Sequence, residues 1–325
     1  MQGSPGREPM RTRIYVDGYN FYYGCLKGTP WKWLDLVKLF EEQILPSVFA
    51  GDASQRHQRS ILTTEHCVKF FTAKIVERVA RSSDSVSSQA RYHTALRKVH
   101  AERVQIVEGY YAVNEMRVKL VDAETPNLPP RDCQDVLAWK VEEKQSDVNL
   151  ALHAYHDAIT QAVDQVVIVT NDTDLAPALQ MIRTYTSARI GLVIPTRNHQ
   201  RHPNTELAEL ADWVRNHVTA HELATCQLPR VIPGRKPTVK PDSWYAHPDL
   251  LAQILELAIP IRGSRAAVFK WMETPNLHLE GERPIELVDT AQGAHRVLDY
   301  IRGFIAEQSI VVTAETSPHK TNQIV

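Results

Sequence analysis

Apolar residues fall along this chain in two alternating rhythms. Short runs rich in β-branched and aromatic residues, RIYVD (13–17), CVKFFTAKI (67–75), RVQIVEGYYAV (103–113), QVVIVTN (165–171) and RIGLVIP (189–195), have the near-continuous apolar character of strands buried on both faces. Between them stand segments of helical period: LDLVKLFEEQIL (34–45), SSQARYHTALRKVHAE (87–102), SDVNLALHAYHDAITQA (146–162), DLAPALQMIRTYT (174–186) and TELAELADWVRNHV (205–218). Strands separated by helices build βαβ units, so this part predicts an α/β domain, a parallel sheet flanked by helices. The pattern then lapses in LPRVIPGRKPTVKPDS (228–243), where four prolines, a glycine and four basic residues show no period and read as a linker. Four Pro-, Gly- and Asn-punctuated helical stretches follow and predict a small all-α C-terminal domain. The expected organisation is a disordered leader at 1–12, the α/β domain at 13–226, a linker at 227–246, the helical domain at 247–308 and a flexible tail at 309–325.

Composition narrows this only slightly. With 37 basic against 38 acidic residues in 325, no global field advertises a nucleic-acid or membrane partner, and any such partner is met by a local patch. The four widely spaced cysteines, Cys25, Cys67, Cys133 and Cys226, give neither a disulfide framework nor paired zinc spacing, which fits a reducing cytoplasm. No apolar run approaches the roughly 18 residues of a membrane span, and the N-terminus lacks the core of a signal peptide.

The chemistry concentrates at strand ends. Asp17 ends the first strand in IYVDGYNFYYG, and Asp172 and Asp174 follow another strand in VVIVTNDTDLAPAL. If those strands are parallel neighbours, three carboxylates converge at one sheet edge, where α/β folds bind their ligands. Asp147, at the start of the helix that precedes the Asp172 strand, is a fourth candidate, although an ordinary helix-start role suits it equally. Singly, each such Asp reads as a turn or helix cap; together they call for a cation, because convergent carboxylates repel. Oxygen ligands in that number suit Mg²⁺ or Mn²⁺ rather than zinc, and a hard ion so held is a means of hydrolysing phosphodiesters. The position two after Asp17 is Tyr19, which excludes the two-Asp motif of haloacid-dehalogenase-like phosphatases. No phosphate loop or serine-hydrolase elbow is present.

At these residues the sequence resembles a known family. VDGYNFYYG with GTPWKWLDL, KFFTAKI, KQSDVNLALHAYHDA and VIVTNDTDLAPAL are similar to the NYN domain, the PIN-like nucleases of the LabA-like branch, over about 13–226. The resemblance implies a PIN-like parallel sheet, an acidic cluster holding Mg²⁺ or Mn²⁺, and RNA cleavage. It maps its metal aspartates onto Asp17, Asp147, Asp172 and Asp174, with Asn20 as polar companion and Thr170 at a serine position. Two family glycines are replaced, by Asn171, which tolerates a left-handed turn, and by Gln145, which adds bulk at the entrance. FKWMETPNLHLEGERPIELVDTAQGAHRVLDYI resembles the toxin-binding domain of MbcA/ParS/Xre antitoxins over about 247–308, through Trp271, Pro275, Asn276, Leu279, Gly281, Pro284, Thr290, Gly293 and Val297. That likeness implies a toxin partner or self-association.

RNA contact calls for cations and rings. Arg117 and Lys119 in NEMRVKLVD, and Arg197, His199, Arg201 and His202 in TRNHQRH, are candidates to line the cleft. Of the rings near Asp17, most read as packing, with Tyr19 or Tyr23 facing substrate, and Gly18 leaves space for a phosphate backbone. The expected function is a cytoplasmic Mg²⁺- or Mn²⁺-dependent endoribonuclease with an antitoxin-like module. The alternative is a catalytically silent RNA-binding or toxin-neutralising protein of a toxin–antitoxin system.

Overall fold

The computed structural model describes residues 8–48, 60–197 and 200–315, without the side chains of 308–315. The most apolar runs become the middle of a sheet, because burial on both faces gives each large side chain about 1.5–3 kcal/mol. Its strands are β1 (Met10–Asp17), β2 (Ser60–Leu62), β3 (Val68–Ala73), β4 (Val104–Lys119), β5 (Asp135–Lys144), β6 (Gln165–Val169), β7 (Arg189–Val193) and β8 (Trp213–Arg215). They lie in the order β5-β4-β3-β1-β6-β7-β8, with β2 also pairing β1. Every pairing is parallel except β4 with β5. Strand β1 is therefore central, with Val16 opposite Val169 on one side and Asp17 opposite Phe71 on the other.

Helices cover both faces. Short α1 (Gly18–Phe21) runs on through a wider turn at Tyr22–Leu26. A second helical stretch comprises α2 (Leu36–Lys38), Leu39–Ile44 and α3 (Leu45–Val48), and begins where the Asp35 carboxylate accepts the Lys38 N–H at 3.0 Å. Then come α4 (Ser85–Val99), α5 (Ser146–Ile159), α6 (Ala176–Tyr185), α7 (Thr205–Leu210) and α8 (Ala220–Thr225). Alternation along the strands sorts the two cores. Tyr15, Phe71 and Ile168 pack with Leu150, Ala154, Leu179 and Leu207 of α5, α6 and α7. On the opposite face Phe70 meets Tyr92 of α4, whose ring also neighbours the buried Trp33.

Strand β4 outruns the parallel sheet. Its pairing with β3 ends at Ala73 opposite Gly109, yet it continues for ten residues paired antiparallel with β5, from Tyr110 opposite Lys144 to Lys119 opposite Asp135. Gly109 marks the departure, since a Cβ there would lie 2.2 Å from the Lys144 carbonyl oxygen.

Several expectations are corrected. The segment 205–218 is not one helix: α7 ends at Leu210, and the Asp212 carboxylate accepts the Ile190 N–H at 2.7 Å, drawing the chain onto the sheet as β8. The segment 227–246 holds an antiparallel pair, β9 (Val231–Ile232) and β10 (Thr238–Val239). Lys98 of α4 ties it down by donating to the Lys236 carbonyl and the Thr238 hydroxyl at 2.5 and 2.9 Å. Met10–Thr12, placed in the leader, belong to β1, while residues 1–7 lie outside the description.

The chain divides into two compact units, 1–27 with 31–240, and 241–325 with 28–30. The second is the expected bundle: α9 (Pro248–Arg262), α10 (Arg265–Met272), α11 (Pro284–Leu287) and α12 (Ala291–Glu315) bury Leu251, Ile254, Val268, Phe269, Met272 and Val297 together. Helix α12 takes in 309–315 of the expected tail, and 316–325 lie outside the description.

Candidate acidic site

Parallel pairing of β1 and β6 puts their carboxyl ends side by side, and a hydrogen bond joins them. The Thr170 hydroxyl, fully buried just past β6, donates to Asp17 Oδ2 at 2.8 Å, and the Asn20 N–H donates to Asp17 Oδ1 at 2.9 Å. Thr170 Oγ1 in turn accepts the Asp172 N–H at 3.1 Å, and Asp172 Oδ1 accepts the Asp174 N–H at 3.1 Å. Asp17 and Asp172 therefore act as caps of the turns that follow them as well as standing at the shared edge. Asp147 is not a cap: Gln145 precedes its helix and makes no side-chain cap bond, so Asp147 sits in the first turn of α5.

Mutual charge effects show the carboxylates to be neighbours. Burial raises the Asp17 carboxyl to about 6 against the pull of its Asn20 and Thr170 bonds, with Asp147 and Glu143 adding to the rise. Loss of hydration raises Asp147, as do Asp172 and Asp174. Glu143, a carboxylate absent from the sequence reading, is raised by burial and by Asp147 while Ser146 donates to it. Its signal was the charged run EEK, which reads as solvated surface until the end of β5 is placed against α5. Among the described residues no three His, Cys, Asp or Glu side chains are drawn close enough to enclose an ion as they stand. The donor set nonetheless fits a hard divalent cation: it is all oxygen, Asp17, Asp147 and Glu143 are raised, and the buried Asn20 Oδ1 has no hydrogen-bond partner.

The replaced glycines behave unlike the expectation. Asn171 is not left-handed; it accepts the Asn204 N–H at 2.8 Å and donates to the His202 carbonyl at 3.0 Å, pinning the 202–204 loop. Gln145 carries the left-handed backbone instead, at φ 76°. Gly18 opens no space for phosphate, since a Cβ there would stand 2.5 Å from the Phe71 carbonyl oxygen.

The proposed substrate residues separate. Tyr19 is exposed and its ring centroid lies 4.5 Å from that of half-buried Tyr23. Arg197 packs over Trp31 at 5.9 Å, and Arg197 and Arg201 both lower the buried Cys25 thiol against the larger effect of burial, which places them beside the turn that follows Asp17. His199 lies outside the described residues. Arg117 and Lys119 do not stand beside the carboxylates: they lie eight and ten residues past Gly109, roughly 26 Å or more along an extended strand, and Lys119 pairs with Asp135 at 3.2 Å.

The NYN domain family matches residues 11–215, and the antitoxin Xre/MbcA/ParS C-terminal toxin-binding domain matches residues 257–303. The chain is 64% identical over 308 residues, 95% of its own length and 99% of the other's, to a protein of Pseudomonas putida (strain DSM 28022 / S16) named 6-hydroxy-3-succinoylpyridine 3-monooxygenase HspA. A crystal structure of a protein of unknown function from Vibrio parahaemolyticus matches 67% of this chain and 96% of that one at 16% identity, with a TM-score of 0.34. No described helix is long and apolar enough to cross a membrane. By the match that spans most of its length and contains the joined ends of β1 and β6, the chain belongs to the NYN domain family, followed by an Xre/MbcA/ParS toxin-binding domain.

Proposed function

We propose that the α/β unit is a divalent-metal-dependent ribonuclease whose ion is gathered by Asp17, Asp147, Asp172 and Asp174, with Glu143 as a further carboxylate at the rim. The observation that carries this is the Thr170–Asp17 bond, which locks the ends of two strands where Asp17, Glu143 and Asp147 act on one another and Asp172 and Asp174 act on Asp147. Bound there, Mg²⁺ or Mn²⁺ supplies an activated water and offsets charge on the phosphate. Thr170 and the Asn20 N–H hold the Asp17 carboxylate in one orientation, and the Asn20 side-chain oxygen, buried and unbonded, would be a further oxygen acceptor beside it. The helical unit would then take a toxin or a second copy of itself.

The test is cleavage of single-stranded and structured RNA with Mn²⁺, Mg²⁺ or EDTA, by the wild type and Asp172→Asn. Metal-dependent cleavage lost by about a hundredfold or more in the variant supports the reading, since a transition-state charge contact is worth that much. Equal cleavage by both rejects it.

A second reading rests on the relative's name. A monooxygenase places one atom of O₂ on its substrate and needs a reductant for the other. Incubation with 6-hydroxy-3-succinoylpyridine, O₂ and a reduced nicotinamide decides the matter: turnover of the pyridine with RNA left intact would establish oxygenation and displace the nuclease.

A further inference from the structure

Strand β5 places its apolar residues on the wrong side for a core. Leu137, Trp139 and Val141 are 67%, 59% and 49% exposed, and their alternation puts all three on one face of the β4–β5 ribbon. Cross-strand partners share a face, so Val113, Glu115 and Arg117, opposite Val141, Trp139 and Leu137, lie there too. The same parity continues inward to Tyr111 opposite Glu143. Those two residues are at the acidic site: Glu143 raises Asp17, and Tyr111 is raised by burial, by Glu143, and by Tyr19 and Tyr23. One face thus runs without a break from the carboxylates to the outer ribbon.

Cations are distributed along it against rings. Arg78 lies 5.2 Å over the Trp139 ring, and Tyr23 has Lys27 at 4.7 Å and Arg81 at 5.8 Å. Arg117 adds a charge further out, and Glu115, opposite Trp139, is an opposing carboxylate on the same face. An exposed apolar strip would ordinarily invite another protein surface. Here Trp139 and Tyr23 are attended by guanidinium and ammonium groups, the combination that stacks bases and neutralises phosphates.

We infer that this face is a guide arm for single-stranded nucleic acid, with Tyr19, Tyr23 and Tyr111 receiving the strand beside the carboxylates and Trp139 with Arg78 stacking a base roughly 14 Å farther out along the ribbon. The identity of the partner rests on the nuclease reading; the binding itself does not require cleavage.

Fluorescence anisotropy of the full chain with a labelled oligouridylate of about 16 nucleotides, in EDTA so that no metal-dependent step intervenes, tests the arm. Trp139→Ala is expected to weaken binding by about fivefold to a hundredfold, and Trp139→Phe to retain most of it, because any flat ring supports stacking. Arg78→Ala weakens binding and flattens its salt dependence. Trp139 is exposed, so circular dichroism of Trp139→Ala should match the wild type. An oligothymidylate arm reports whether the 2′-hydroxyl contributes. Equal affinity of wild type and Trp139→Ala, or no binding by the wild type, overturns the inference. So does a Trp139-dependent affinity confined to 6-hydroxy-3-succinoylpyridine. Binding that depends on Trp139 without any cleavage would leave the arm standing and remove the nuclease; cleavage unaffected by Trp139→Ala would do the reverse.

Discussion

Asp17 and Asp157 are equally buried, each 5% exposed, yet their carboxyl groups move in opposite directions. Burial raises both, but Asp157 is brought below its ordinary range by Lys69, Tyr15 and Arg13, at 2.6, 2.7 and 2.8 Å. Asp17 has two neutral donors and more carboxylates nearby, so it rises to about 6. The chain thus completes one carboxylate with its own cations and leaves the other short of one. A buried acid whose counter-charge is supplied internally is a structural part; one gathered with other acids is a candidate site for a proton or a cation from outside.

The sharpest way to break this contrast is to remove the completed carboxylate. Asp157→Ala leaves Lys69, whose side chain is 7% exposed, without its partner, and should cost about 3–5 kcal/mol in urea unfolding. Adding Lys69→Met to that variant should recover a substantial part, because a buried ion pair often gives little net stability over an apolar replacement. A second measurement asks whether a buried charge without sufficient compensation is avoided elsewhere. Burial lowers His93 to about 4 despite Glu108 nearby, so it folds neutral. Its folded value lies below the unfolded one, so its contribution is full above about pH 6.5 and is lost as pH falls towards 4, by on the order of 3 kcal/mol. Unfolding free energies at pH 7.5 and 4 should show that loss in the wild type and a flatter profile in His93→Gln.

The incomplete carboxylate is tested by supplying what it lacks. At an Mn²⁺ concentration about a hundredfold above its dissociation constant the wild type should gain about 2.7 kcal/mol in a thermal-shift titration. Asp17→Asn should gain little, and without metal it should melt no lower than the wild type, since it removes a burdened charge. The smallest effect concerns the approach to Asp147. Gln145→Gly relieves a left-handed non-glycine backbone and should leave the fold about 1 kcal/mol more stable, read from the denaturant midpoint.

The centre of the fold was legible because parallel strands buried on both faces are continuous apolar runs: RIYVD, QVVIV and RIGLV all form the strands expected of them. The edge was not. Strand β5 follows a Pro-rich stretch and mixes Val136, Leu137, Trp139 and Val141 with Ala138, Lys140 and Glu142, and its pairing with β4 makes it a strand. Trp213–Arg215 carried a helical period that the Asp212 bond overrode. At the acidic site the four aspartates were readable because strand ends and a helix start place them, while Glu143 depended on long-range pairing that no local pattern encodes. Gln145 and Asn171 show the same limit for backbone shape, Gln145 carrying the left-handed turn expected at Asn171 while Asn171 pins the 202–204 loop.

Tyr110 and Lys144 face each other where the ribbon leaves the sheet, with Gly109 pressed against the Lys144 carbonyl. An excursion that returns to its starting point can be swapped as a cassette. Joining residues 112 and 142 by a two-residue turn would keep every parallel register, Tyr111, Glu143 and Asp147, and would show how much of this molecule's nucleic-acid affinity resides in the outer ribbon.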